Sequence, residues 1–274
     1  MLEAVKQIEA HMRKSQQEAA LTYQQELEQE NADLKTALAM LRQDQQAGYH
    51  VQQSLLPANP TQLDAYRLDY WLKPSLYLSG DFVDCWAQGE HQLLFYLADV
   101  SGHGASSAFV TILIKYLLGK YCEQEDFSPA QLCMRVNEEL LAGGLDKHLT
   151  LVLGCLDTQT GNLTYALGAH LPVPLLIDAE GEVKELSGTG MPIGLFPDAH
   201  YKDYTCQFPQ GGRLCIASDG ILELLPGQGL EERQQYWHRW VVETGGNLEA
   251  LLERLPVAEG SWPDDVTLMT ITGC

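Results

Sequence analysis

The sequence predicts an α+β fold: two stacked antiparallel sheets flanked by helices, preceded by one long N-terminal helix. Two observations carry this. Strand patterns come in consecutive groups with helical pairs inserted, the order of layered antiparallel sheets and not of a strictly alternating, doubly wound parallel sheet. Residues 1–56 hold no proline and a single glycine, Gly48, and are rich in Gln, Glu, Ala and Leu, all good helix formers. The expected division is a helical segment over 1–56 and a globular domain over 57–274.

Within the first segment, Leu27, Asn31, Leu34, Leu38 and Leu41 step by four and three, the spacing of a heptad seam. Asn31 takes an a position, where a single buried Asn fixes register and two-strandedness. Upstream, Val5, Ile8 and Met12 keep similar spacing, while Gln17 and Gln24 interrupt the register. The helix is expected to pair with a second copy as a coiled coil; the alternative is an amphipathic helix folded back on its own domain. Its abrupt start leaves room for a further domain upstream.

Pro57 and Pro60 end the helix by removing donors and clashing with the preceding turn. Strands are then expected over Tyr66–Leu72, Leu76–Trp86 and His91–Val100. Phe109, Ile112, Leu113, Tyr116 and Leu117 define one face of a helix over Ala105–Tyr121. Ser128 is an N-cap before Pro129, opening a helix that runs through Leu141. Thr150–Leu156 and Leu163–Leu167 flank Asp157–Asn162, a hairpin loop. Further strands are expected at Leu171–Ile177, Thr205–Phe208, Arg213–Ser218 and Val266–Ile271, with helices at Leu230–Glu243 and Leu248–Leu255. No internal repeat is visible.

The 274 residues carry 17 Lys plus Arg against 37 Asp plus Glu, a net charge of −20. With 45% apolar and 20% charged residues, wholesale disorder is excluded. Nucleic acid is excluded as a partner, because no basic patch is present to neutralise phosphates. The acid excess sits in the globular part, where cations can neutralise carboxylates. Seven cysteines without any C-x-x-C pair read as reduced thiols of a cytosolic protein. No apolar run approaches the roughly 20 residues that span a bilayer, and the N-terminus lacks a signal-peptide core. A cytoplasmic, soluble protein with no membrane association is expected.

Four short motifs put an Asp at a strand end or beside Gly: Ser79–Asp84 (SGDFVD), Asp99–Gly104 (DVSGHG), Ser218–Gly220 (SDG) and Pro263–Thr267 (PDDVT). In two of them the Asp meets an apolar run, YLADV and CIASDG, where a carboxylate is costly to bury unless it is paired or binds a metal. Adjacent Gly lets the chain turn sharply, so a carboxylate and a main-chain carbonyl can face one ion. Hard oxygen ligands without His or Cys spacing select Mg²⁺ or Mn²⁺ over Zn²⁺.

The ordered set SGDFVD, DVSGHG, Ala166–Pro172 (ALGAHLP), Gly190–Leu195 (GMPIGL), Ser218–Glu223 (SDGILE) and Asp264–Leu268 (DDVTL) resembles the SpoIIE-like branch of the metal-dependent PPM protein phosphatases. Gln53–Pro57 (QSLLP) resembles that branch's lead-in segment, and the resemblance covers about residues 50–272. It implies an αββα sandwich with a two-ion Mg²⁺ or Mn²⁺ centre at one edge of the sheets, and hydrolysis of phosphoserine or phosphothreonine on a protein. In bacteria the typical substrate is a phosphorylated anti-sigma-factor antagonist. Members are often joined through a helical linker to receiver or sensor domains, which suits residues 1–56.

Carried over by position, the resemblance implies that Asp99 bridges both ions and the Val100 carbonyl completes one coordination sphere. Asp81 would hold the ion on the Val100 side, and Asp219 and Asp264 the other. Asp265 stands where relatives often have Asn and is expected to orient its neighbour or a water. The ions would activate a bridging water, so no protein nucleophile is needed. Ser79 replaces the first Gly of the usual GGD, and Leu167–His170 (LGAH) replaces the usual NAGH. No counterpart of the phosphate-binding Arg of eukaryotic relatives is visible; Lys73 is the candidate, against the commoner reading of a solvated lysine on a strand. His103 is the candidate general acid, and His170 is expected to brace its loop. Tyr236, Trp237 and Trp240 read as core packing before a docking surface. Two rival functions stay open: a catalytically silent fold that sequesters a partner, and a hydrolase of small phosphoesters.

Overall fold

The computed structural model describes residues 2–123, 127–256 and 262–273, without the side chains of 2–10 and 19. The Val5 and Ile8 seam positions and Cys274 therefore lie outside what is described. The chain forms two compact units, Met1–Ala47 and Gly48–Cys274.

Helix α1 runs over Leu2–Leu55. In the first unit Leu27, Leu34, Leu38 and Leu41 are exposed along it, and the Asn31 amide donates back to the Leu27 carbonyl at 2.9 Å. The last turns of α1 belong to the second unit.

In that unit two antiparallel sheets face each other. The six-stranded sheet has the order β1 (Thr61–Leu63), β2 (Tyr66–Lys73), β11 (Val266–Gly273), β10 (Arg213–Ala217), β7 (Leu175–Ile177) and β8 (Val183–Glu185). The five-stranded sheet has β3 (Asp81–Gln88), β4 (Gln92–Val100), β5 (Leu149–Asp157), β6 (Asn162–Gly168) and β9 (Tyr204–Gln207) in sequence order. Helices α2 (Ala105–Cys122) and α3 (Pro129–Ala142) cover the outer face of the five-stranded sheet. Helices α4 (Gly220–Leu224), α5 (Leu230–Thr244) and α6 (Leu248–Leu252) cover the other.

Strand β4 shows why the layers form. Leu93, Phe95 and Leu97 point between the sheets, and Leu94, Tyr96 and Ala98 point under α2 and α3, all buried. A strand apolar on both faces needs cover on both. Local signals set the ends: Ser128 and Gln131 form a reciprocal capping box at α3. The Asp157 carboxylate accepts from Gln159 N at 3.0 Å and Thr160 N at 2.9 Å, closing the β5–β6 turn.

The structure corrects four expectations. The strand expected from Leu76 starts only at Asp81, because residues 76–80 form a loop held from outside. Leu171–Ile177 shortens to Leu175–Ile177, since Pro172 and Pro174 offer no N–H to a ladder. The last helix ends at Leu252 and not Leu255. On α2 the buried face is Ala108, Val110, Ile114, Leu117 and Leu118, while Phe109 is 69% and Tyr116 65% exposed. This helix is apolar nearly all round, so its sequence does not define which side packs. Trp237 is buried and Tyr236 and Trp240 pack beside it in the outer layer, as core residues.

Among the described residues six thiols, at Cys85, Cys122, Cys133, Cys155, Cys206 and Cys215, are free and buried or half-buried.

Gly154 lies under the Phe95 ring: a Cβ there would sit 2.2 Å from the ring's Cζ. Gly154→Ala should therefore lower unfolding stability by roughly 1–3 kcal/mol through overpacking, read from the urea midpoint.

Candidate active site

Strand parity places the acids. On β3, Val83 and Cys85 face the inter-sheet core, and so does Asp81 at the strand's start; on β4, Leu93, Phe95 and Leu97 do, and so does Asp99 near its end. Asp81 and Asp99 are register partners. From the opposite sheet, Thr267 at the start of β11 reaches across, its hydroxyl donating to Asp81 Oδ2 at 2.7 Å. Ser218 follows β10, its Oγ accepting from Thr267 N at 2.9 Å. Asp219 and Asp264 lie on the loops leaving β10 and entering β11. The four acidic motifs thus meet at one edge where both sheets end.

Close backbone packing holds these loops. A Cβ on Gly80 would lie 2.8 Å from the Gly102 carbonyl and 2.9 Å from that of Val100. A Cβ on Gly220 would lie 1.9 Å from the Asp265 carbonyl. Only glycine permits either approach. Ser79 keeps a negative φ, so it serves in place of glycine, and its Oγ accepts from Asp81 N at 3.0 Å. Ala169 departs further: it holds φ +53, a left-handed conformation that glycine adopts without strain.

Asp265 reaches beyond its neighbour. Its buried carboxylate accepts from Ser75 N at 2.6 Å, Ser75 Oγ at 2.8 Å and Gly80 N at 2.6 Å, while its own N–H donates to Asp264 Oδ1 at 2.8 Å. One side chain ties the loop before β3 to the loop before β11. Gln52, 2% exposed, grips the same loop from α1. It donates to the Ser79 carbonyl at 2.8 Å and accepts from Ser79 N at 3.1 Å.

Burial is the main force raising the proton affinity of Asp81, Asp99, Asp219 and Asp264, and neighbouring carboxylates add to it. Asp99 and Asp219 lie in carboxyl–carboxyl hydrogen-bond contact. Glu223 on α4 adds negative potential at Asp219 and Asp264, and His103 works the other way on Asp264. Among the described residues, no three His, Cys, Asp or Glu side chains converge into a ready-made ligand shell. The donor set still fits hard divalent cations, which keep several waters and take one or two carboxylates each. A cation there would relieve the repulsion that otherwise favours protons.

Of the sequence candidates, the site brings together Asp81, Asp99, Val100, Asp219 and Asp264, with His103 exposed on the adjoining loop. Lys73 is exposed at the end of β2, in register with Val266, the residue that follows Asp264 and Asp265. His170 braces as expected, with Nε2 at 2.8 Å from the Ala217 carbonyl and Nδ1 at 3.3 Å from Thr150 Oγ1. Sequence reasoning missed Gln52, the loop-tying reach of Asp265, Glu223 and Lys147. Glu223 was within reach, closing the SDGILE motif; Gln52 and Lys147 carry no local signal.

Facing sheets flanked by helices, with acidic loops gathered at one edge, define a PP2C-like fold. The PP2C domain of SiaA from Pseudomonas aeruginosa superposes with TM-score 0.69 at 20% identity, over 87% of this chain and 99% of that one. The PP2C domain of SpoIIE from Bacillus subtilis, with a regulatory fragment, gives 0.64 at 20%, over 77% and 64%. The family model described as Stage II sporulation protein E (SpoIIE) matches residues 89–272, and the chain belongs to that family. Two phosphoserine phosphatases of Bacillus subtilis are similar in sequence. RsbP is 26% identical over 58% of this chain and 40% of its own length. RsbU is 23% identical over 75% and 61%. The chain thus spans less than two thirds of either relative.

Burial lowers the His170 imidazole from its ordinary 6.5 to about 4. Unfolding restores the ordinary affinity, so its unfavourable contribution is absent above pH 6.5 and grows as pH falls towards 4. His170→Gln should flatten the acid limb of stability by up to roughly 3 kcal/mol at pH 4, measured by urea unfolding between neutral and acid pH.

Proposed function

We propose that this chain hydrolyses phosphoserine or phosphothreonine on a protein substrate, using Mg²⁺ or Mn²⁺. The observation that carries the reading is four aspartates from four separate motifs gathered at one sheet edge, two at strand ends and two on loops, where burial and neighbouring carboxylates raise their proton affinity. Asp81 with the Val100 carbonyl would hold one ion, Asp219 and Asp264 the other, and Asp99 would bridge them. When bound, such ions supply an activated water and neutralise the phosphoryl oxygens. Asp265 and Thr267 keep Asp81 and Asp264 in place from behind. His103 would give a proton to the departing serine oxygen.

The proposed substrate is a phosphorylated anti-sigma-factor antagonist in bacterial signalling, and the proposed location is cytoplasmic. Among the described residues no helix is long and apolar enough to cross a membrane. A silent, sequestering domain would gain nothing from keeping this costly acid cluster; a small-phosphoester hydrolase would show a higher kcat/KM on a small ester than on a phosphoprotein, and a protein phosphatase the reverse. Residues 1–56 are proposed to pair two copies and to connect with a receiver or sensor domain.

Asp219→Asn removes one ligand and one charge at nearly constant volume. Mn²⁺-dependent hydrolysis of para-nitrophenyl phosphate should fall by roughly a hundredfold or more, while the thermal midpoint in EDTA rises because repulsion is relieved. Full activity at limiting Mn²⁺ would refute the assignment.

Leu34 and Leu38 are exposed on α1, and burying each against a second copy contributes roughly 1.5–3 kcal/mol. Changing both to Lys should give a monomer by light scattering with the phosphatase unit intact.

A further inference from the structure

We propose that Lys147 is a positioning residue for the reaction: it holds the Ser101–Gly104 loop, and through it the Val100 carbonyl and His103. The inference rests on the reading of the acidic edge as a metal-dependent phosphatase site.

The loop that follows Asp99 and Val100 has little rigidity of its own. Gly102 and Gly104 hold φ of +76 and +84, and no side chain caps α2 at Gly104. Its order comes from Ser101, every polar group of which is taken by the segment before β5 or by α2. Ser101 N donates to the His148 carbonyl at 2.8 Å, and Ser101 Oγ accepts from His148 N at 3.3 Å. The Ser101 carbonyl accepts from Lys147 Nζ at 2.8 Å and from Ser107 Oγ at 3.2 Å. Lys147 Nζ also donates to Ser107 Oγ at 3.1 Å, so the ammonium closes a three-membered ring of contacts with a buried serine.

The lysine lies along the loop. A Cβ at Gly102 would stand 3.1 Å from Nζ, so the ammonium lies in close contact with the loop backbone. Two residues on, Leu149 pairs in register with Val100. The clamp therefore acts one residue from the carbonyl proposed to face an ion and two from His103. Both hydrogen-bond acceptors of Lys147 are neutral oxygens. An apolar side chain of the same length would fill the space but could neither bind the carbonyl nor carry the charge.

The test uses the full chain with Lys147→Met and Lys147→Arg. Hydrolysis of para-nitrophenyl phosphate is titrated with Mn²⁺, and thermal midpoints are read in EDTA. The Met variant should lose roughly ten- to a hundredfold in kcat and need severalfold more Mn²⁺ for half-maximal rate, with KM for the ester little changed. Its EDTA midpoint should stay near that of wild type, and Arg should recover most of the kcat. If Met fails to fold, Lys147→Gln takes its place. A Met or Gln variant with wild-type kcat and Mn²⁺ requirement overturns the inference, as does a loss that Arg does not repair. A wild type without Mn²⁺-dependent turnover refutes the phosphatase reading itself.

Discussion

Like charges forced together govern this domain. Two unit charges about 4 Å apart repel by roughly 4 kcal/mol at the effective dielectric of a protein surface, and more when buried. Asp81, Asp99, Asp219 and Asp264 share one edge, where burial first and neighbouring carboxylates second raise their proton affinity. Nothing local favours their proximity. It is imposed by the three apolar layers, where dozens of side chains each contribute about 1.5–3 kcal/mol on burial. The strand ends have no freedom to spread.

Loops are where such repulsion would find release, and each is tied by a contact distant in sequence. Asp265 holds Ser75 and Gly80, Gln52 holds Ser79, and His170 joins the end of β6 to the end of β10. Gly80 and Gly220 then let backbones pack where any side chain would collide. A hydrogen bond to a charged carboxylate contributes more than a neutral one. The Asp265 carboxylate takes three such bonds at 2.6–2.8 Å, which makes it a strong tie between two loops.

Most strands were legible because two-residue alternation and apolar runs report burial directly, as in β4. The acidic edge was legible because its residues sit beside glycines at strand ends. What stayed hidden depends on tertiary packing. Asp265 was read as acting on its neighbour, yet it bonds a residue 190 positions earlier in the chain. Gln52 looks like any helix glutamine among many, and Lys147 like any loop lysine. The buried face of α2 was misread because Phe109 and Tyr116 are as apolar as the residues that pack. Periodicity names a face only when the other face is polar.

The cysteines have a consequence of their own. Burial pushes the thiols of Cys85 and Cys155 up to about 11 and those of Cys122 and Cys215 up to about 12, and raises Cys133 and Cys206 as well. Peroxide and alkylating agents attack the thiolate, not the thiol. The six described cysteines are therefore poor in reactive thiolate. A phosphatase that works through a cysteine nucleophile depends on a thiolate; the acidic edge described above depends on carboxylates, and the six described thiols are held protonated.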